Sequence, residues 1–323
     1  MTSESPTDPK LMSALKAAQL YYLQDLTMDA IASELRTSRS SVSRLLAHAR
    51  DTGLVEITIT SPLDRGAQLE REIAARFRIS AHVVPVPGSL SDVDRLDRVA
   101  MTAARLLPQY IESNSIVGIA WGSTLGALSR HLTAKETHDT VIVQMNGAGN
   151  TETTGIEYAS EILERFGRAY SARIQQFPVP AFFDSPDTKE ALWRERSTRR
   201  VLDLIARMDV AVFGLGSPFA EVPSRVYIGG YLGRTDYKSL AADRAVGDVA
   251  TVFYRADGSW RDIALNARAT GPGFDRLVKV ARRICIVSGA QKLPSLRGAL
   301  AAGLITDLVL DEGLARRLLE SVS

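Results

Sequence analysis

The stretch TMDAIASELRTSRSSVSRLLAHAR, residues 27–50, decides how the first part of this chain folds. The spacing of its apolar residues predicts two short helices that meet at an angle. The first begins at Thr27, whose hydroxyl can cap it, and Asp29 places a carboxylate in the first turn, where the helix dipole favours negative charge. The second begins near Ser38. The expected buried faces are Ile31, Ala32 and Leu35 in the first helix, and Val42, Leu45, Leu46 and Ala49 in the second.

The turn between these helices, at Arg36 and Thr37, predicts a helix-turn-helix. The backbone of such a turn tends to be left-handed at the position of Arg36, where glycine is common, so arginine costs about 1 kcal/mol or less. An ordinary helical hairpin is the alternative. The small residue Ala32, the tight turn and the spacing of Val42 and Leu45 favour the helix-turn-helix.

The outward face of the second helix suits the major groove of double-stranded DNA. Small hydroxyl residues allow close approach, and the guanidinium groups of Arg39 and Arg44 can meet phosphates or guanine edges. Acidic residues around the motif offset its arginines, so we expect modest non-specific affinity and a dimer or tetramer whose paired motifs read two half-sites of operator DNA. The predicted DNA contacts are Thr27, Thr37, Ser38, Arg39, Ser40, Ser41, Ser43 and Arg44.

The length of 323 residues suits one small and one large domain. A composition of 45% hydrophobic and 24% charged residues, with a net charge of +2, is typical of a globular protein with a localised DNA-binding head. The single cysteine, Cys285, excludes an internal disulfide and, within the apolar run ICIV, predicts a buried thiol. Because no targeting signal or membrane-spanning stretch is recognised, we expect a cytoplasmic protein without a membrane partner.

The head is expected to contain a third helix and a wing. A helix over residues 10–24, with Leu11, Leu15, Ala18 and Tyr22 facing inward, precedes the motif, and the alternating residues 54–60 follow it as a strand. A helix over residues 64–77 then connects the head to the body or pairs with a second subunit. The predicted organisation is a disordered start (1–9), a winged helix-turn-helix domain (10–62) and an effector-binding and oligomerisation domain (63–323).

Beyond residue 81 short apolar strands alternate with helical patterns. Uninterrupted apolar strands between helices predict an α/β domain with a mostly parallel sheet covered on both faces, and such sheets bind ligands at the carboxyl ends of their strands. The strands are expected at residues 82–86, 115–120, 140–145, 209–215, 249–254, 284–289 and 306–311.

Glycine-containing polar loops follow four of these strands. Each glycine lets backbone amides approach a ligand, and the first loop adds two hydroxyls at the start of a helix. Because four such loops share one edge of the sheet, they predict a site for a phosphate or a polyhydroxy compound. The loops are WGST (121–124), NGAGN (146–150), GLGS (214–217) and SGAQK (288–292).

The chain resembles the SorC family of sugar-responsive bacterial transcriptional regulators from about Lys10 to its end. Residues 21–59 resemble the DNA-binding head of that family. The body resembles the family's sugar-binding domain in the order of its motifs, which are VGIAWGSTL (117–125), the turn at Gly147, AVFGLGS (211–217), GD (247–248), LNARATG (265–271), SGAQK (288–292) and ITDLVLDEGLARRLL (305–319).

The resemblance implies a sugar-isomerase-like body, in which a sugar, sugar phosphate or polyol controls the affinity for operator DNA. Many relatives carry a basic residue before a Gly-Gly pair, whereas Asn146 precedes Gly147 and Ala148 here, so phosphorylated and unphosphorylated effectors both stay open. Whether the protein represses or activates is also open. The implied effector-binding residues are Gly122, Ser123, Thr124, Asn146, Gly147, Gly216, Asp248, Asn266, Gln291 and Lys292.

The main alternative is a sugar-phosphate isomerase or deaminase fused to a helical domain, and another is a constitutive architectural DNA-binding protein. An isomerase needs a carboxylate or imidazole base beside the substrate carbon. His48, His82, His131 and His138 are expected to be surface or packing residues. Asp184, Asp187 and Glu190 form an acidic cluster, but Pro180 and Pro186 indicate a loop that leads into a solvated helix, so the cluster could as well be a lid over the ligand as a catalytic group. We therefore expect no catalytic residue, no metal site and no cofactor.

Overall fold

The computed structural model of the chain describes residues 9–55, 62–218 and 224–321. The chain forms two compact units, which divide between Ser61 and Pro62. Most of the predicted wing strand, and the predicted disordered start except for Pro9, lie outside the described residues.

Residues 9–55 of the first unit contain three helices, and the two helices of the motif begin where the sequence predicts. The Thr27 hydroxyl accepts a hydrogen bond from the Ala30 N–H at 3.3 Å. The Ser38 hydroxyl accepts one from the Ser41 N–H at 3.2 Å, so both residues cap the helices that follow them. The helices are α1 (Pro9–Tyr22), α2 (Met28–Glu34) and α3 (Arg39–Asp51).

The turn between α2 and α3 has the expected left-handed residue. Arg36 has a φ of +50°, and the Thr37 N–H donates to the carbonyl of Ala32 at 2.9 Å. This backbone bond closes the turn at the cost of a non-glycine residue in the left-handed region. The helix-turn-helix geometry is therefore confirmed.

The core of the first unit is built largely from small side chains. Ile31, Val42 and Leu46 are its large fully buried residues. In α1 the buried face differs from the prediction, because alanines form most of it and Leu11, Leu15 and Tyr22 are only partly buried. The buried residues of α1 are Ala14, Ala17, Ala18 and Leu20.

Replacing Leu46 by alanine should destabilise the first unit by about 2–5 kcal/mol, because the small neighbouring residues cannot close the cavity. Hydrogen exchange of the α3 amides in the full chain should become faster, which reports this unit without requiring two-state unfolding of the whole protein. The control is Leu23→Ala, since Leu23 is 77% exposed. Equal exchange in the two variants would show that Leu46 does not hold α3 in place.

The second unit is an α/β layered domain with a seven-stranded sheet in the order β1-β9-β8-β5-β2-β3-β4. The strands are β1 (Ser80–Val84), β2 (Ile116–Ile119), β3 (Val141–Gln144), β4 (Arg173–Gln175), β5 (Val210–Gly214), β6 (Gly247–Val249), β7 (Val252–Tyr254), β8 (Arg282–Val287) and β9 (Asp307–Asp311). The helices are α4 (Pro62–Phe77), α5 (Asp92–Leu106), α6 (Ser123–Arg130), α7 (Ile156–Ala169), α8 (Pro186–Trp193), α9 (Arg196–Ala206), α10 (Arg225–Ile228), α11 (Arg234–Ala242), α12 (Phe274–Leu277), α13 (Leu293–Ala301) and α14 (Glu312–Glu320), with 3-10 turns at Leu107–Gln109, Ala264–Ala267 and Ala290–Lys292.

Every pairing within the large sheet is parallel, as predicted. Alternate side chains of β5 enter two different hydrophobic clusters, with Ala211 and Phe213 in one and Val210 and Val212 in the other. The sheet is thus buried on both faces. The strand order reverses between β2 and β5, and crevices at such a point are where open α/β sheets bind ligands.

One strand prediction was wrong, and one strand was not predicted. The expected strand over 249–254 is instead part of an antiparallel pair, β6 with β7, which belongs to a separate two-stranded sheet. The edge strand β4, with Ile174 as its only apolar residue, was missed.

The thiol of Cys285 is fully buried, as expected, and burial raises its pKa. Among the described residues, no helix combines the length and the apolar character needed to cross a membrane.

Candidate functional site

The four predicted loops meet at the carboxyl ends of β2, β3, β5 and β8. They line two adjoining cavities with empty volumes of about 430 and 440 Å³, including space open to solvent. Ser123, Thr124 and Leu215 line both cavities, which we call together the cleft. The predicted residues that line the cleft are Gly122, Ser123, Thr124, Asn146, Gly216, Asp248, Gln291 and Lys292.

The start of α6 presents hydrogen-bond donors to the cleft. Gly122 precedes the helix with a φ of +143° and provides no side-chain cap. The first intrahelical bond runs from the Gly126 N–H to the Gly122 carbonyl, so the preceding amides of the first turn are left for a ligand. The hydroxyls of Ser123 and Thr124 lie at the same place, which makes this end of the cleft suitable for ligand oxygens.

Lys292 supplies a buried positive charge. Its ammonium group donates to the Leu215 carbonyl at 2.6 Å and to the Ser224 hydroxyl at 3.0 Å. Burial lowers the pKa of Lys292 to about 8, although the Asp248 carboxylate opposes this effect. Lys292 is therefore mostly charged at neutral pH, and two of its three protons already have acceptors within the protein.

Asp248 supplies a buried carboxylate. Its Oδ2 accepts a hydrogen bond from the Thr251 N–H at 3.2 Å, and a side-chain hydrogen bond with the Tyr227 hydroxyl also lowers its pKa. Burial raises the pKa of Asp248 to about 6, against the opposing effects of the Thr251 hydrogen bond and of Lys292. The group is thus an ionised acceptor at neutral pH, held in a place that disfavours its charge.

A strained hairpin turn holds Asp248 in position. Ala250 and Thr251, between β6 and β7, have φ values of +47° and +71°. Two consecutive left-handed residues are typical of a type I′ hairpin turn, and they cost energy where neither is glycine. The Gly216 N–H donates to the Asp248 carbonyl at 2.8 Å, which ties this hairpin to the loop after β5.

Asn146 contributes a buried amide to the lining of the cleft. It is 1% exposed, and its Oδ1 has no hydrogen-bond partner. A buried acceptor without a partner costs roughly 1–3 kcal/mol.

The structure does not bring Gly147 and Asn266 into the lining of the cleft. Gly147 packs behind its wall, where an added Cβ would lie 2.2 Å from the Pro180 carbonyl oxygen. The Asn266 side chain accepts from the Phe253 N–H and donates to the carbonyls of Phe253 and Trp260, each at 2.8 Å. Both residues therefore have structural roles here, and Asn266 borders a different groove.

Two further residues that line the cleft, Asp92 and Arg225, were not predicted from the sequence. Asp92, in the first turn of α5, lines one cavity and lies 3.3 Å from Arg95. Arg225 lines the other, with its guanidinium 3.8 Å from the ring centroid of Tyr158. Neither residue belongs to one of the four predicted loops, so only the packing of α5 and α10 reveals them.

Trp121 forms another part of the wall of the cleft. The Trp121 ring stacks on Tyr231 with a centroid separation of 5.0 Å, and its Nε1 donates to the Gly147 carbonyl at 2.8 Å. The Tyr231 hydroxyl donates to the Ala148 carbonyl at 3.1 Å. The loops after β2 and β3 are therefore fixed to the segment that follows α10.

The predicted DNA-reading residues lie on the surface of the first unit, and all of them are exposed except the partly buried Ser41. The Ser38 hydroxyl also contacts those of Ser40 and Ser41, at 2.8 and 2.9 Å. Arg44 reaches the Ser41 hydroxyl at 3.4 Å, and Arg39 lies 3.8 Å from Asp29. These long distances leave both guanidinium groups available for DNA.

The four histidines, and the acidic residues Asp184, Asp187 and Glu190, do not line the cleft. His131 Nε2 lies 2.8 Å from Asp97 Oδ1, and this hydrogen bond lowers the pKa of Asp97. Asp184 borders a separate groove, and Asp187 and Glu190 lie in the solvated helix α8. In the described part of the chain, no three histidine, cysteine or acidic residues are grouped to hold a metal ion.

Comparison with known proteins identifies relatives of both units. Residues 61–320 match the family model described as "Putative sugar-binding domain". The deoxyribonucleoside regulator of Bacillus subtilis (strain 168) is 28% identical over 316 residues, which cover 97% of this chain and 99% of that protein.

Two solved structures have similar folds. A domain of "a possible sugar-binding transcriptional regulator" from Arthrobacter aurescens TC1 is 57% identical, with a TM-score of 0.75 over 80% of this chain and 100% of that one. The full-length sorbitol operon regulator SorC from Klebsiella pneumoniae has a TM-score of 0.72 at 24% identity, over 97% of this chain and 100% of that one.

Proposed function

The chain belongs to the SorC family of transcriptional regulators with a sugar-binding domain, and we propose that it controls a carbohydrate or polyol operon through an effector bound in the cleft. One observation carries the assignment of the cleft. Polar residues of the strand ends and of the β6–β7 hairpin, among them Ser123, Asp248 and Lys292, line one cleft at the point where the strand order reverses. A compound with several hydroxyl groups both donates and accepts hydrogen bonds, so it matches these hydroxyl, carboxylate and ammonium groups.

The effector would act by changing the affinity of the protein for operator DNA. In this proposal α3 enters the major groove of the DNA. The protein acts in the cytoplasm as a homodimer or tetramer, which places two DNA-binding heads on two half-sites. The centres of these half-sites lie about 34–36 Å apart, or a multiple of that distance. A ligand that favours one arrangement of the subunits shifts DNA affinity, and bound DNA must shift ligand affinity by the same factor.

The test combines a thermal-shift screen with DNA binding by the full chain. Sugars, polyols and their phosphate esters are screened first, and each compound that raises the melting temperature is added to a gel-shift assay on the promoter upstream of the protein's own gene. At least one compound should change DNA affinity by about 5- to 150-fold, the usual range for coupled sites. If no carbohydrate changes either the melting temperature or DNA binding, the proposal is wrong.

An isomerase is the second candidate, because a buried carboxyl with a pKa of about 6 is also what a catalytic base requires. We propose that the protein acts by binding alone. The discriminating experiment incubates each bound sugar with the protein in deuterated water and follows it by NMR. Exchange of a carbon-bound hydrogen or formation of a new sugar would establish catalysis, whereas an unchanged spectrum supports a sensor.

Effector affinity should be highest between pH values of about 6 and about 8. Below the pKa of Asp248 its carboxylate gains a proton and becomes a weaker acceptor, and above the pKa of Lys292 the ammonium charge is lost. Titration calorimetry at a series of pH values measures this profile. The Asp248→Asn variant should no longer lose effector affinity as the pH falls. If the effector affinity of the wild-type protein stays constant as the pH falls through 6, Asp248 is not the group that contacts the effector.

A further inference from the structure

A strongly basic groove lies at the edge of the large sheet, between β4 and α9. Its empty volume is about 1040 Å³, including space open to solvent, and its lining includes a single carboxylate, that of Asp203. All five of its arginines are exposed. We call this surface the basic groove, and its cations are Arg173 in β4, Arg196, Arg199 and Arg200 in α9, and Arg207 directly after α9.

The arginines of the basic groove have few partners within the protein. None of the five forms an ion pair with a residue that the structure describes, whereas Arg255, elsewhere in the second unit, lies 2.7 Å from Asp262. Only Arg207 among them has a side-chain hydrogen bond to a described residue, from its Nε to the Asp203 carbonyl at 3.2 Å. The cluster therefore does not stabilise the second unit through ion pairs.

The placement of these cations exceeds what the fold requires. A charged residue on an exposed edge strand can prevent pairing with other chains, which accounts for Arg173 alone. The helix α9 begins at Arg196 and has no acidic residue in its first turn, although the helix dipole favours negative charge there. A cluster of cations without ion-pair partners, in a place that disfavours them, indicates an anionic partner.

The chemistry and the length of the basic groove favour duplex DNA as that partner. Its cations are all arginines, whose planar guanidinium groups bind phosphate oxygens through paired hydrogen bonds. The row from Arg196 to Arg207 extends about 16 Å, and phosphates follow one another at a rise of about 3.4 Å along each DNA strand, so several can contact the row at once. A second copy of the chain placed symmetrically on this groove would oppose like charges.

We propose that the basic groove binds the phosphate backbone of double-stranded DNA without regard to sequence. This inference rests on the proposed function, which makes DNA a partner of the chain. Contacts to phosphates carry no direct sequence information, so the second unit adds the same affinity for any duplex, and sequence is read by the head. The groove thus supplies electrostatic affinity beyond that of the head, where Arg39 lies 3.8 Å from Asp29.

The experiment measures DNA binding by the full chain between 50 and 200 mM salt. The two probes are the promoter upstream of the protein's own gene and a duplex of equal length and random sequence. Replacing Arg196, Arg199 and Arg200 together by glutamine should reduce the slope of log affinity against log salt by about 2–3 per subunit. At the lowest salt concentration, affinity should fall at least tenfold on both duplexes.

Two control variants separate the position of the charges from their number and from the shape of the side chains. Replacing the same three arginines by lysine keeps the charges, so the salt dependence should stay close to that of the wild type. Replacing Arg98, Arg105 and Arg297 by glutamine removes three exposed charges outside the groove and should also leave the slope unchanged. Circular dichroism with thermal melting shows that each variant folds.

The outcomes distinguish this inference from the proposed function. An unchanged slope in the folded glutamine variant overturns the inference, and so does a change of oligomeric state in light scattering, which would assign the groove to contact between subunits. Both results leave the proposed function intact if the wild type binds its promoter, whereas no binding by the wild type overturns both. If the triple variant does not fold, Arg173→Gln in β4 gives the same test, with an expected loss of slope of about 1 per subunit.

Discussion

Replacing Gly216 by alanine should abolish most of the effector response of a protein that still folds. An added Cβ would lie 1.7 Å from Asp248 Oδ1 and 2.6 Å from its Cγ, so the carboxylate must leave its position. Loss of a hydrogen bond to a charged group costs about 1.5–3 kcal/mol, or roughly 10- to 150-fold in affinity. Overpacking of this buried site should cost a further ~1–3 kcal/mol of stability.

Calorimetry with the effector measures the loss in affinity, and circular dichroism with thermal melting shows that the variant folds. The matched control is Gly88→Ala, because a Cβ there meets nothing within 4 Å. Effector affinity equal to that of the wild type in the Gly216 variant would mean that Asp248 does not contact the ligand.

The Arg44→Ala variant should weaken binding to the operator by roughly 1–3 kcal/mol for each head if this side chain reads a base. The loss occurs in both heads of a dimer, so it should approach twice that value. Arg44 is exposed and forms only long contacts within α3, so its removal should leave the fold of the head intact. Binding-site selection with the variant should show relaxed preference at one position of each half-site.

The Arg39→Ala variant is compared with Arg44→Ala to distinguish a contact with a phosphate from a contact with a base. An arginine that contacts a phosphate weakens binding to all sequences alike and reduces the salt dependence by about one counterion per head. Arg98→Ala, an exposed charge on α5, is the control for net charge. If Arg44→Ala leaves both affinity and sequence preference unchanged, Arg44 does not read a base.

The features predicted correctly from the sequence are those that depend on residues close together in the chain. The caps at Thr27 and Ser38, the left-handed turn at Arg36 and the buried face of α3 each depend on residues within a few positions of one another. The short edge strand β4 lacks such a signal, because two of its three residues are polar. The β6–β7 hairpin was read as one strand because Ala250 and Thr251 occupy a turn that usually takes glycine or asparagine.

In the candidate site, too, features set by neighbouring residues were predicted, and features set by the packing of distant elements were not. Strand ends followed by glycine are visible in the sequence, and all four predicted loops reach the cleft. The contributions of Asp92 and Arg225 depend on how distant helices pack, which local patterns do not reveal. Asn266 lies in a motif that resembles the family, yet its side chain holds β7 in place.

The stacked pair of Trp121 and Tyr231 gives the protein a built-in optical reporter. Trp121 lines the cleft, whereas Trp193 and Trp260, the other two of the three tryptophans, border a different groove. Replacing those two by phenylalanine would leave one indole whose emission responds to the polarity and the occupancy of the cleft. Effector binding could then be followed by fluorescence in the full chain, with operator DNA present and without an attached dye.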